Sequence, residues 1–231
     1  MFTCALTFTA RAATLQISPV SVELPAGANA TALTLRNPGD TPLYGQVRVF
    51  LWDQSAHEEI LTPTQDLIAS PPLIQIPART EQLVRLVRVA TTPVGAEQSY
   101  RVLIDELPSP DTPTANGVTI RLRYSVPVFV EPAAANGVPQ LTWRLRHDAQ
   151  GWRIAVGNAG TRRAQIAGVE LVTPTGKVYE INKGLLGYAL PGRDRQWPIN
   201  LPPDARLDGV KVRAAVNATP VEATIAVGEG G

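Results

Sequence analysis

The sequence predicts an all-β protein built as two β-sandwich domains, and three observations predict it. Short apolar runs alternate with period two, most cleanly in GVTIRLRYSVPVF, where Val118, Ile120, Leu122, Tyr124, Val126 and Val128 share one face. The 21 prolines and 18 glycines fall between such runs rather than in clusters, and no long helical period interrupts them. The stretch PAAANGVPQ has no periodicity and separates two series of strands, as a linker does.

Taken in order, the first series is TLQISPVSVEL, ATALTLRN, LYGQVRVFLW, LIQIPA, QLVRLVRV, SYRVLIDEL and the alternating stretch above. Turn chemistry separates these runs at Pro25-Ala26-Gly27, Asn37-Pro38-Gly39-Asp40, Pro71-Pro72, Pro93-Val94-Gly95 and the proline-rich residues 108–117. That is the strand count of an immunoglobulin-like sandwich. The second series runs QLTWRLRH, WRIAVGN, QIAGVELVTP, KVYEIN, LLGYALPGRDRQWPINL, VKVRAAVN and EATIAV. Two immunoglobulin-like domains are therefore expected, at residues 13–132 and 133–231. Trp52, Trp143, Trp152 and Trp197 are expected to fill their cores.

Residues 1–12, MFTCALTFTARA, read as a separate piece, because a short apolar run ends in Ala10-Arg11-Ala12, the pattern of a signal-peptide cleavage site. No basic residue precedes that run, so this signal peptide is expected to be incomplete and the mature chain to be exported. The single cysteine, Cys4, falls inside it, which leaves the rest of the chain no thiol to pair or oxidise in an exported compartment. Residues 13–132 hold 8 basic and 12 acidic side chains, and residues 133–231 hold 12 and 8. The two net charges cancel, so no global attraction draws the chain to nucleic acid or anionic lipid. No run after residue 12 is long enough to span a bilayer.

Hydrolytic or metal chemistry needs convergent bases or ligands. The two histidines, His57 and His147, lie in different predicted domains, each beside a turn. Glu58-Glu59 and Asp105-Glu106 are adjacent pairs, whose members point to opposite faces of a strand and cannot flank one bond as an acid/base couple does. No nucleophile elbow, phosphate-cradling loop or dinucleotide fingerprint follows a strand. The expectation is a binding protein: not an enzyme, with no metal and no cofactor.

The alternating strand is where binding would occur. Pro127 offers no N–H to a ladder, so one side of the strand is expected to be unpaired by its own sheet there. An open edge with a regular apolar row recruits foreign strands, while Arg121 and Arg123 between the apolar positions blunt nonspecific pairing. Alternation alone leaves two destinations for Val118, Ile120 and Leu122, this domain's own core or a partner's.

A set of motifs in order decides between them: LQISPVSVELPAG with LTLRNPGD, PPLIQIPARTEQLVRLVR, SYRVLIDELP, Ala115-Asn116-Gly117, VTIRLRYSVPVFVEP, WRIAVGN and LPGRDRQWPI. Together they resemble the PapD-like periplasmic chaperones of the chaperone/usher pilus pathway, and RYSVPVFV resembles the archaic, Csu and spore-coat-like branch. The resemblance implies donor-strand complementation, in which the last strand of domain one completes the core of a pilin subunit lacking its own last strand. It implies a donor row of Val118, Ile120, Leu122, Tyr124 and Val126, and a preceding loop, PSPDTPTAN, that orders when a pilin arrives. It implies two immunoglobulin-like domains arranged as an L with a cleft between them, pilin subunits and an outer-membrane usher as partners, a periplasmic location, and self-association through the donor edge. In the best-known branch an Arg and a Lys anchor the pilin's terminal carboxylate, but Ser21 and Pro127 stand at those positions here. Arg88, Arg85 and Arg123 are the candidate replacements, Arg88 first. The competing expectation is a secreted tandem immunoglobulin-like adhesin or carbohydrate-binding module.

Overall fold

A computed structural model describes residues 15–89, 94–110, 120–134, 136–202 and 205–229. Among the described residues there are strands and turns and no helix.

The first ten strands are β1 (Gln16–Ser18), β2 (Val22–Leu24), β3 (Ala30–Arg36), β4 (Leu43–Gln54), β5 (Glu59–Pro63), β6 (Leu67–Ser70), β7 (Leu73–Ile76), β8 (Glu81–Arg88), β9 (Gln98–Leu107) and β10 (Arg123–Val130). They form a four-stranded sheet in the order β1-β3-β8-β6, facing a second in the order β2-β10-β9-β4-β5 with β7 also on β4. Between the sheets lie the inward rows of alternating strands, including Leu33 and Leu35, Val84 and Leu86, Tyr100, Val102 and Ile104, and Val126, Val128 and Val130.

The stretch TLQISPVSVEL is expected as one strand but forms two. Pro19 interrupts the ladder, so β1 pairs antiparallel with β3 in one sheet while β2 crosses to the other and pairs parallel with β10. The crossing gives β10 its neighbour at Val128–Val130 and leaves Arg123–Pro127 without one on that side among the described residues.

The other strands are β11 (Leu141–Asp148), β12 (Gly151–Asn158), β13 (Ala164–Val172), β14 (Val178–Ala189), β15 (Arg193–Pro198), β16 (Lys211–Val216) and β17 (Thr219–Glu229). They surround a separate core that includes Trp143, Leu145, Ile154, Val156, Ile166 and Val212. β17 serves both halves of this unit. Its first half pairs antiparallel with β16, and its second half, from Ile225, pairs parallel with β11. KVYEIN and the start of LLGYAL, expected as two strands, run on as β14, with register shifts in the pairing of β13 and β14 absorbing the irregularity.

Trp143 is buried in the second core, with Trp152 and Trp197 packed against it, whereas Trp52 is a correction. It projects from the outer face of β4 into a small cluster with Phe129, Tyr188 and Leu190, which joins the two units. Trp52 meets Tyr188 edge-on at 5.3 Å between centroids, and Phe129 stands 5.9 Å from Trp52. Gln54 beneath them donates from Nε2 to the Tyr188 carbonyl at 2.9 Å and accepts the Leu190 N–H at 3.0 Å. Arg193 chelates Asp53 at the rim of this contact, with its second nitrogen 2.9 Å from Oδ2.

Candidate functional site

The register of β10 against β9 assigns each of its atoms a direction. Arg123 faces Asp105 and Val130 faces Gln98, and the Glu106 N–H bonds the Leu122 carbonyl at 3.0 Å. In an antiparallel ladder, hydrogen-bonded pairs alternate with pairs whose polar groups point away. Leu122, Tyr124, Val126 and Val128 therefore turn their backbone groups to β9, and Arg123, Ser125 and Pro127 turn theirs outward. Pro127 thus lacks an N–H that would have faced the open side. The outward groups of Arg123 and Ser125 meet no strand among the described residues.

The side chains divide the same way. Even positions face the core of the first sandwich, and along them burial is lost stepwise. Val128 is fully buried and Val126 is 4% exposed, whereas Leu122 is 39% and Ile120 78% exposed. Tyr124, between the two groups, packs against the core and carries its hydroxyl to the rim. Val126 is accordingly corrected: it belongs to its own domain's core, because the opposing sheet still covers β10 at that height. Ile120 and Leu122 continue the same row beyond that cover, and Val118 lies outside the described residues, as does most of the loop before it.

Polar contacts define the end of the ladder. The Tyr124 hydroxyl accepts the Leu15 N–H at 3.1 Å and donates to Glu106 Oε1 at 3.2 Å, while Oε2 of the same carboxylate stands 3.4 Å from the Leu122 nitrogen. On the other face Asp105 pairs with Arg123 and, at 2.7 Å, with Arg48 of β4. The adjacent carboxylates do project to opposite faces, and each holds a structural partner.

The three candidate anchor arginines do not converge. Arg85 lies exposed on the outer face of the other sheet, paired across from Ala32 and Ser70. Arg88 continues the core-facing row of Val84 and Leu86 and is 4% exposed, with its N–H bonded to the Asn29 carbonyl at 2.8 Å. Arg123 stands on the β10 edge, engaged with Asp105.

Two arginines that sequence reasoning missed flank the contact between the sandwiches. Arg101, across the ladder from Pro127, stacks 3.7 Å over Trp52, and Arg163 stacks 3.6 Å over Phe129. Arg163 also holds Glu97 at 2.7 Å and pairs with Glu23. Burial pushes the Glu97 carboxyl above its ordinary value, with Arg163 pulling it part of the way back. Nothing in the spacing of these residues announces the pairings, which arise only when β9, β10 and the β12–β13 turn meet.

Two β-sandwiches joined through an aromatic contact, with an apolar row running out of one core along an open edge, define a tandem immunoglobulin-like protein. The chain belongs to the pili and flagellar-assembly chaperone family, whose PapD N-terminal domain matches residues 14–136. The uncharacterized fimbrial chaperone YhcA of Escherichia coli (strain K12) is 27% identical over 153 residues, 66% of this chain, which spans 65% of that relative's length. The fold superposes on the CsuC–CsuE chaperone–tip adhesion subunit pre-assembly complex from the archaic chaperone-usher Csu pili of Acinetobacter baumannii. That match has a TM-score of 0.72 and 27% identity, covering 94% of this chain and all of the matched one. The SafB chaperone in complex with the SafA pilin of Salmonella enterica shares the fold, at a TM-score of 0.65 and 21% identity over 94% of this chain and 98% of that one.

Proposed function

We propose that this chain is a periplasmic chaperone for pilin subunits, lending the open edge of β10 to a subunit whose own fold lacks a strand. The carrying observation is the single row of side chains that begins inside the first sandwich at Val128 and emerges at Leu122 and Ile120. A strand of the subunit pairs with the outward N–H and carbonyl groups of Arg123 and Ser125, and Leu122, Ile120 and Val118 enter the subunit's core. This is β-augmentation, of which chaperone–pilin pairing is a standing example. Fully burying each large apolar side chain contributes about 1.5–3 kcal/mol, from which the costs of association are subtracted. The bound subunit is thereby kept from aggregating and delivered to an outer-membrane usher, and the cycle needs no catalysis.

The domains of this reading are 13–132 and 133–231, with residues 1–12 as an export signal. Arg88 is the favoured anchor for the subunit's terminal carboxylate, since it faces inward from β8 whereas Arg85 faces outward from the same strand, with Arg85 and Arg123 as the alternatives. Coexpression of candidate pilins from the same genome with the wild type and with Ile120→Arg tests the reading. The wild type is expected to copurify with a pilin and keep it soluble, and the charged variant to fold normally and lose it. A variant that retains the pilin in full contradicts the assignment.

A further inference from the structure

The β10 edge has a second face, and it is charged. Arg121 and Arg123 alternate with Ile120 and Leu122, so they project to the side away from the apolar row. Together with Arg48, Asp105, Gln46 and Leu107 they line an open groove of about 520 Å³ against the edge. Arg48 and Arg123 both reach Asp105, whose side chain is only 15% exposed. Burial alone would raise the Asp105 carboxyl, but the two guanidiniums hold it below its ordinary value, so the carboxylate stays ionised. Glu106, the neighbouring acid, projects to the opposite face and is committed to the Tyr124 hydroxyl, and among the described residues Arg121 pairs with no carboxylate. Among the described residues, three cations, Arg48, Arg121 and Arg123, therefore line the groove with one anion on that face, Asp105, beside an edge prepared for a strand.

We propose that the strand pairing with β10 carries carboxylates on its outward face, and that Arg121 and Arg123 are the specificity-determining residues that read them. The proposal rests on the edge-pairing reading above and adds the chemistry of the partner. A strand joining a sheet lies about 4.8 Å from its neighbour, so its outward side chains fall directly across from those of Arg121 and Arg123. Opposite charges in that relation attract and like charges repel. A guanidinium presents a planar fork that matches a carboxylate, and Asp105 already holds Arg123 in place. If the arginines served only to blunt the edge, they would hinder every incoming strand regardless of its charge.

The test uses the full chain and three synthetic peptides with one alternating Val/Ile frame and either Glu, Gln or Lys at every intervening position. Fluorescence anisotropy measures each Kd for the wild type and for the double variant Arg121→Gln/Arg123→Gln. The Glu peptide is expected to bind the wild type about threefold to tenfold more tightly than the Gln peptide, with the Lys peptide weakest. That ranking should collapse in the double variant, and also in about 1 M salt, where the screening length falls to about 3 Å. Equal binding of the Glu and Lys peptides, or tighter binding of all three by the double variant, overturns the proposal while edge pairing stands. Failure of every peptide to bind overturns edge pairing and the proposal with it.

Discussion

The Tyr124 hydroxyl stands 3.2 Å from Glu106 Oε1 and 3.1 Å from the Leu15 nitrogen, so one side chain of β10 ties together β9 and the segment that leads into β1. Tyr124 sits where the apolar row passes from this chain's core to the open edge, and its two hydrogen bonds hold that boundary in place.

Tyr124→Phe is expected to keep the ring packing and lose both bonds, costing about 1 kcal/mol of stability in urea denaturation. A pH signature accompanies it. The phenol is pushed up to about 12 from 10.0, by burial first and by the Glu106 carboxylate second. A group whose folded pKa is raised contributes stability that is full below its unfolded pKa and lost as pH climbs through the folded one. Wild-type stability should therefore fall between pH 10 and about 12. Burial also raises Tyr100 and Tyr188, so the readout is the part of that fall missing from Tyr124→Phe.

Gln54→Ala tests the contact between the sandwiches. The amide is buried and spans the junction, and its loss strands the Leu190 N–H and the Tyr188 carbonyl. Each buried group left unpaired costs about 1–3 kcal/mol. Scanning calorimetry is expected to resolve two transitions in the variant, because the units no longer unfold together. A single transition at the wild-type temperature would contradict the role given to Gln54.

Arg163→Ala should be the more damaging change. Its side chain is 12% exposed and that of Glu97 0%, so the substitution abandons a buried carboxylate. Breaking such a pair costs about 3–5 kcal/mol. Burial already pushes the Glu97 carboxyl up. Without Arg163 it rises further, and stability lost at neutral pH should partly return as the pH falls and Glu97 takes a proton. A variant equally unstable at all pH values would argue that the lost stacking on Phe129, rather than the charge, decides the outcome.

Much of this was legible in the sequence because period two is a local property. The alternation from Val118 to Val128 identifies a strand and its two faces, and Pro127 marks the side that cannot donate. How far this domain's own core extends along that row is a different matter. The reach of the opposing sheet decides that Val126 is covered and Leu122 is not, and no local pattern encodes that reach. Trp52 departs from the expected packing for a related reason: an aromatic residue on a strand looks the same whether it fills its own sandwich or docks on another. The pairings of Arg101 and Arg163 depend on elements brought together by the fold, so no local pattern announces them.

The most direct measurement is amide hydrogen exchange at Arg123 and Ser125, free and with a copurified pilin bound. Both N–H groups point away from β9 along a side with no strand beside it among the described residues, so they should exchange freely in the isolated chain and become protected in the complex. Unchanged exchange at both positions with the pilin fully bound would mean that the subunit sits elsewhere and that β10 lends it nothing.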